Sequence, residues 1–120
     1  MNSEKEKIQG IVKEFVANSL NAKAGDINVT IKAGNDKTTI TVRDDGMGMD
    51  ERTLEDVRKL LNQPRRDELE EYYGGLAGNS KTALGLNIVG MLVDQTEVES
   101  IEGQGTTITV IRYRNNSPSL

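Results

Sequence analysis

The feature that most restricts this chain is an acid closing a strand pattern, in "KTTITVRDDGMGMD" (37–50). Side chains on a strand alternate between two faces, so Ile40, Val42 and Asp44 share one face and Thr39, Thr41 and Arg43 the other. The β-branched apolar residues claim the core and carry a carboxylate inward with them. Gly46 and Gly48 follow at once. An ionised Asp facing a core is costly unless hydrogen-bond donors meet it. Two arrangements satisfy that demand. The carboxylate can cap the following turn, with the glycines supplying positive φ. It can instead accept from a ligand such as the exocyclic amine of a purine, with the glycines letting a flat ring lie against backbone. These residues alone leave both open.

The rest of the chain supplies the setting. Ser3 and Glu6 have the spacing of a capping box, which predicts a helix from there to about Ala22. At about 100° per residue, Ile8, Ile11, Val12, Phe15, Val16 and Ala22 fall on one arc of it. "KAGD" (23–26) breaks this helix, and strands over 27–33 and 37–44 are joined across "GND" as a hairpin. Asp50 is placed to cap a helix through "ERTLEDVRKLLN", which stops before Pro64. "RRDELEEYYGGLAGNSK" (65–81) is charged and then glycine-rich, and is expected to be partly helical and mobile. An apolar helix over about 82–93, a strand near 95–101, the turn "EGQG" and a last strand over 106–114 complete the pattern, with "NNSPSL" (115–120) as a disordered tail. The order predicts an α+β fold over 1–114: a two-layer sandwich with a mixed, mostly antiparallel sheet and helices on one face.

Composition narrows the function. An aromatic share of 3% without Trp argues against base stacking, and a formal net charge of −4 argues against a phosphate-backbone partner, so no nucleic acid is expected. The absence of Cys and His removes disulfides, thiolate metal sites, histidine bases and a histidine phosphoacceptor. "MNSEKEKIQG" lacks the apolar core of a signal peptide, and "ALGLNIVGMLV" is about half the length of a membrane span. A cytoplasmic protein without a membrane role is the expectation.

Four places can carry chemistry. Glu14, Asn18 and Asn21 stand at i, i+4 and i+7 of the first helix, Asn18 at the margin of the apolar arc and the other two just beyond. An amide oxygen and a carboxylate are hard ligands suited to Mg²⁺, and a carboxylate there can orient an attacking water; a solvated polar helix face explains the same residues. Asp44 with its glycines is the second place. In "GGLAGNSKTALGL" (74–86), glycines precede a helix N-terminus whose free N–H groups attract phosphate, and Lys81 adds a point charge. A flexible loop with a close-packed Gly85 is the alternative. "GLAGNSKT" also approaches a P-loop, but Ser80 stands where that pattern needs Gly and no apolar strand feeds it. In "GQGTTITV" (103–110), Thr106 shares parity with Ile108 and Val110 and points inward like Asp44, which would allow the two to pair.

The order of these motifs is their most specific property. "VKEFVANSLNA" (12–22), "DDGMGM" (44–49), "KTALGLNIV" (81–89) and "GQGTT" (103–107) resemble, in sequence, the N-box and glycine boxes of the GHKL superfamily, the gyrase, heat-shock-chaperone, histidine-kinase and MutL ATPases and kinases. The resemblance implies a Bergerat-type ATP-binding fold. It implies that Asn18 holds Mg²⁺, with Asn21 beside it where an acidic or basic residue is common, and that Glu14 is the general base. It further implies that Asp44 accepts from the adenine amine, with Gly46, Gly48 and Met49 around the ring and Thr106 in support. Lys81, Thr82, Ala83, Leu84, Gly85 and Leu86 would meet the phosphates, Ala83 standing where histidine kinases usually carry Gly. Residues about 60–81 would form an ATP lid.

With no further domain visible, the resemblance points to a stand-alone module that binds ATP and ADP and hydrolyses ATP or phosphorylates a hydroxyl of a protein partner, as the anti-sigma serine kinases do. The alternatives are a nucleotide-driven conformational or dimerisation switch, with a homodimer as its assembly, and a non-catalytic nucleotide sensor.

Overall fold

A computed structural model describes residues 3–65 and 82–114. Lys81, most of the expected lid and the tail at 115–120 lie outside the described residues. Within them the chain runs α1 (Glu4–Asn21), β1 (Ile27–Ala33), β2 (Lys37–Asp44), α2 (Glu51–Leu61), α3 (Thr82–Leu92), β3 (Gln95–Ile101) and β4 (Gly105–Tyr113). The predicted elements form within a residue or two of their expected bounds. The fold is the expected α+β sandwich, and every described strand pair is antiparallel, in the order β1-β2-β4-β3.

Local chemistry fixes the helix ends. The Ser3 hydroxyl accepts from Glu6 N–H at 3.1 Å and the Glu6 carboxylate accepts from Ser3 N–H at 2.9 Å, so the capping box is closed in both directions. Ala22 ends α1 by donating back to Asn18, and Lys23 then turns the chain with φ 63°. Asp50 caps α2 by accepting from Thr53 N–H at 2.8 Å. α3 is apolar nearly all round because it is enclosed: Leu86, Ile88, Val89 and Leu92 are all buried.

The register sorts the inward face of the sheet into rows. Ile27, Asp44, Thr106 and Ser100 form one row across the four strands. Next come Val29, Val42, Ile108 and Val98, then Ile31, Ile40, Val110 and Thr96. Thr38 and Arg112 pair in the row beyond. Ile40, Val42, Val98, Ile108 and Val110 of the middle rows meet Ile11 and Phe15 of α1, Val57 and Leu61 of α2 and the apolar surface of α3 in a single core, while Val29 and Ile31 on the edge strand β1 stay exposed. Each such side chain contributes about 1.5–3 kcal/mol when fully buried. The core therefore grips the centre of the sheet, while polar rows lie at its two ends.

Candidate functional site

The Asp44 row floors a cavity of about 230 Å³ between α1, α2, α3 and the sheet. Its walls are largely apolar: Phe15, Val42, Met49, Val57, Leu86 and Ile108. Asn18, Ser19, Asn21, Asp44, Thr53 and Thr106 bring polar groups to it. A concave apolar site with a few convergent polar groups is what a small-molecule pocket requires, and this volume is below the ~300–1,000 Å³ usual for whole drug-sized ligands. It suits one flat ring system with the remainder of a ligand outside.

Asp44 is held from two sides. Ser19 Oγ donates to Oδ2 at 2.6 Å, and Gly46 N–H donates to Oδ1 at 2.8 Å. The turn-capping role therefore holds, and it leaves capacity for a ligand, because a carboxylate has about four lone-pair sites. The neighbouring acid is committed elsewhere. Asp45 accepts from Gly25 N–H at 2.8 Å and Asp26 N–H at 2.9 Å. Those backbone donors, Asp26 first, hold the Asp45 carboxyl below its ordinary range.

The glycine loop is seated by contacts that a side chain would block. Gly48 has φ +70°, and a Cβ there would run into the Ile101 carbonyl. Met47 N–H donates to the Ala22 carbonyl at 2.9 Å and Gly103 N–H to the Met47 carbonyl at 2.6 Å, so the loop is tied to both α1 and the β3–β4 turn. Gly48 and Met49 line the cavity, whereas Gly46 is buried behind it and serves through its N–H.

Thr106 is 8% exposed and points inward as its parity requires, but its hydroxyl pairs with Ser100 Oγ at 2.8 Å instead of with Asp44. Ser100 Oγ also receives Met49 N–H at 2.9 Å and lies 3.2 Å from the Gly105 carbonyl. Thr106 stands between Asp44 on β2 and Ser100 on β3, and both Asp44 oxygens already accept, one from Ser19 and one from Gly46.

On α1 the three polar candidates separate. Asn18 lines the cavity, and its Oδ1 is a buried acceptor with no partner among the described residues. Asn21 lies at the exposed edge of the same cavity. Glu14 departs from its expected place at the rim, being only 2% exposed. The reason is Gly85: a Cβ there would collide with the Glu14 carboxylate, so its absence lets α3 lie directly over that group. The carboxylate thus rests at the first turn of α3, where the helix dipole favours negative charge. Thr82, Ala83 and Leu84 form the start of that helix and Leu86 lines the cavity.

Sequence reasoning missed Ser19, Ser100, Thr53 and Val57. Ser19 had a detectable signal: it falls four residues after Phe15 and three before Ala22, where the apolar arc calls for another apolar side chain.

Among the described residues there is no group of three carboxylates suited to a metal, and no helix long and apolar enough to cross a membrane.

A family model described as histidine kinase-, DNA gyrase B- and HSP90-like ATPase matches residues 3–115. The anti-sigma F factor of Thermoanaerobacter sp. (strain X514) is 29% identical over 110 residues, spanning 88% of this chain and 68% of that protein. The anti-sigma F factor of Caldanaerobacter subterraneus subsp. tengcongensis is 30% identical over a stretch with the same coverage. The matched span takes in every element that builds the cavity, and the chain belongs to the family of histidine kinase-, DNA gyrase B- and HSP90-like ATPases.

Proposed function

We propose that this chain binds MgATP and transfers the γ-phosphoryl group to water or to a hydroxyl of a protein partner. The observation that carries the reading is Asp44, an acid fixed at the floor of an apolar, ring-sized cavity with acceptor capacity to spare. The adenine enters beside Met49 and Gly48, and its 6-amine donates to Asp44. The triphosphate then extends toward Asn18 and the first turn of α3, where the helix dipole favours anions.

The residues fit a magnesium ion. Asn18 offers a buried oxygen without a partner among the described residues, and Mg²⁺ takes hard oxygen ligands while keeping several from water and phosphate. When bound, the ion supplies charge neutralisation on the phosphates. Glu14 lies one helical turn before Asn18. In this reading its carboxylate takes the proton of the attacking hydroxyl or water as the new O–P bond forms and the bond to ADP breaks. The relatives' name, anti-sigma F factor, supports a protein as the regulated partner.

A switch role is favoured by one further observation. Thr53 and Val57 of α2 line the cavity, and beyond the end of α2 the Gln63 amide donates to Asn87 Oδ1 on α3 at 2.7 Å. Nucleotide in the cavity is thereby linked mechanically to both helices.

Two measurements test the reading. Asp44→Asn should weaken ATP binding by about 100-fold, as expected when a buried polar complement is lost, with the melting temperature nearly unchanged; tight binding by this variant would refute the adenine assignment. Phosphate release from γ-labelled MgATP should drop about 100-fold or more in Glu14→Ala while ATP still binds. An unchanged rate would exclude Glu14 as the base, and ATP binding by the wild type with neither phosphate release nor transfer of the label to a partner protein would leave only the switch.

A further inference from the structure

We propose that Ser19 is the positioning residue that sets the purine specificity of this cavity. By donating its one proton to Asp44, it keeps the floor of the pocket a hydrogen-bond acceptor that selects a 6-amino purine over a 6-oxo purine. The inference rests on the reading of Asp44 as the base-binding acid.

The geometry is specific. A serine inside a helix ordinarily turns its hydroxyl back to a carbonyl of the preceding turn. Ser19 instead reaches out of α1 to the end of β2, at 2.6 Å from Asp44 Oδ2. That separation is in the range of a charge-assisted O–H···O⁻ bond. At 3% exposure the hydroxyl has little water to replace this partner. Gly46 N–H holds the other oxygen, so the two donors approach from opposite sides and fix the plane of the carboxylate.

The consequence is a matter of donors and acceptors. A serine hydroxyl has one hydrogen and an ionised carboxylate has none. With the Ser19 hydrogen committed to Oδ2, neither residue can donate into the cavity. Thr106 extends the same character. Ser100 Oγ accepts from Met49 N–H and lies within reach of the Gly105 carbonyl, and when its proton goes there the Thr106 proton goes to Ser100. The polar floor then presents only lone pairs. An adenine amine satisfies them, whereas a 6-oxo group sets acceptor against acceptor.

The test compares wild type and Ser19→Ala in equilibrium binding to ATP, ITP and purine-riboside triphosphate, which carry an amine, an oxo group and hydrogen at position 6. The wild type should prefer ATP to both analogues. In Ser19→Ala the affinity for ATP should fall by about 10-fold, the scale of one hydrogen bond to a charged group, while binding of the two analogues changes less than about twofold. The preference for ATP then shrinks without loss of the triphosphate site. An equal fall for all three nucleotides would make Ser19 a packing residue only, and no change for any would equally overturn the inference. A wild type that binds ATP no better than purine-riboside triphosphate would instead defeat the adenine reading itself. Should the alanine variant not fold, Ser19→Cys, of similar volume and with a weak donor, carries the same comparison with the same expected shrinkage.

Discussion

The two polar ends of the sheet's inward face treat their charges in opposite ways. At one end Arg112, 1% exposed, donates to both Glu4 oxygens at 2.8 and 2.9 Å and to the Leu92 carbonyl at 2.7 Å. A single guanidinium thereby joins the start of α1, the end of α3 and the last strand. At the other end Asp44 is oriented by two donors and Asn18 Oδ1 has no partner among the described residues. Buried charges that serve the fold are matched by the fold. The groups of the proposed nucleotide site are held in place with capacity left over, and buried unsatisfied groups otherwise cost about 1–3 kcal/mol each.

Breaking the Arg112–Glu4 pair should have the largest effect on stability. Arg112→Met is expected to cost about 2–4 kcal/mol in denaturant unfolding, somewhat under the value for a fully buried pair because Glu4 can turn to water. Asp44→Asn, at the other end, should leave the midpoint nearly in place, and a comparable loss there would erase the distinction. The acid limb of stability sharpens the comparison further. The hydrogen bond from Arg112 holds the Glu4 carboxyl below its ordinary range, outweighing burial, with the charges of Arg112, Arg65 and Lys7 adding to it. Its contribution is complete above the unfolded carboxylate value of about 4.3 and is lost as pH falls through the lower folded value. Arg112→Met should therefore flatten this limb in a pH series of unfolding, leaving the part due to Glu6, Asp45 and Asp50, whose carboxyls are also lowered. The smallest effect belongs to Thr38, which faces Arg112 in the register and has a buried hydroxyl with no partner among the described residues. Thr38→Val should raise stability by about 1 kcal/mol and leave ATP binding unaltered; a loss of stability would show the hydroxyl to be engaged.

The elements and the acid at the end of β2 were legible because they are written in single-strand and single-helix periodicity. Parity alone places Arg112 inward with Thr106, Ile108 and Val110, just as it places Asp44 with Ile40 and Val42. What periodicity does not contain is the identity of the group opposite. Glu14 lies off the apolar arc of its own helix, and its burial depends on a missing Cβ at Gly85 in α3. Ser19 and Asp44 are joined only when α1 is laid across β2. Thr106 was correctly aimed, but Ser100 could be known as its partner only from the β3–β4 register.

The strand order β1-β2-β4-β3 has a kinetic meaning as well. β1 with β2 and β3 with β4 are hairpins closed by short loops, which form locally and fast. The β2–β4 pairing joins them across the greater part of the chain and is the slow, non-local step. Asp44 and Thr106 face each other only in that pairing. The cavity over Asp44 and Thr106 thus does not exist in either half-folded species and appears when the two hairpins dock. A ligand held there favours the completed sheet over every partly folded form, so its binding energy is added to the cooperativity of folding itself.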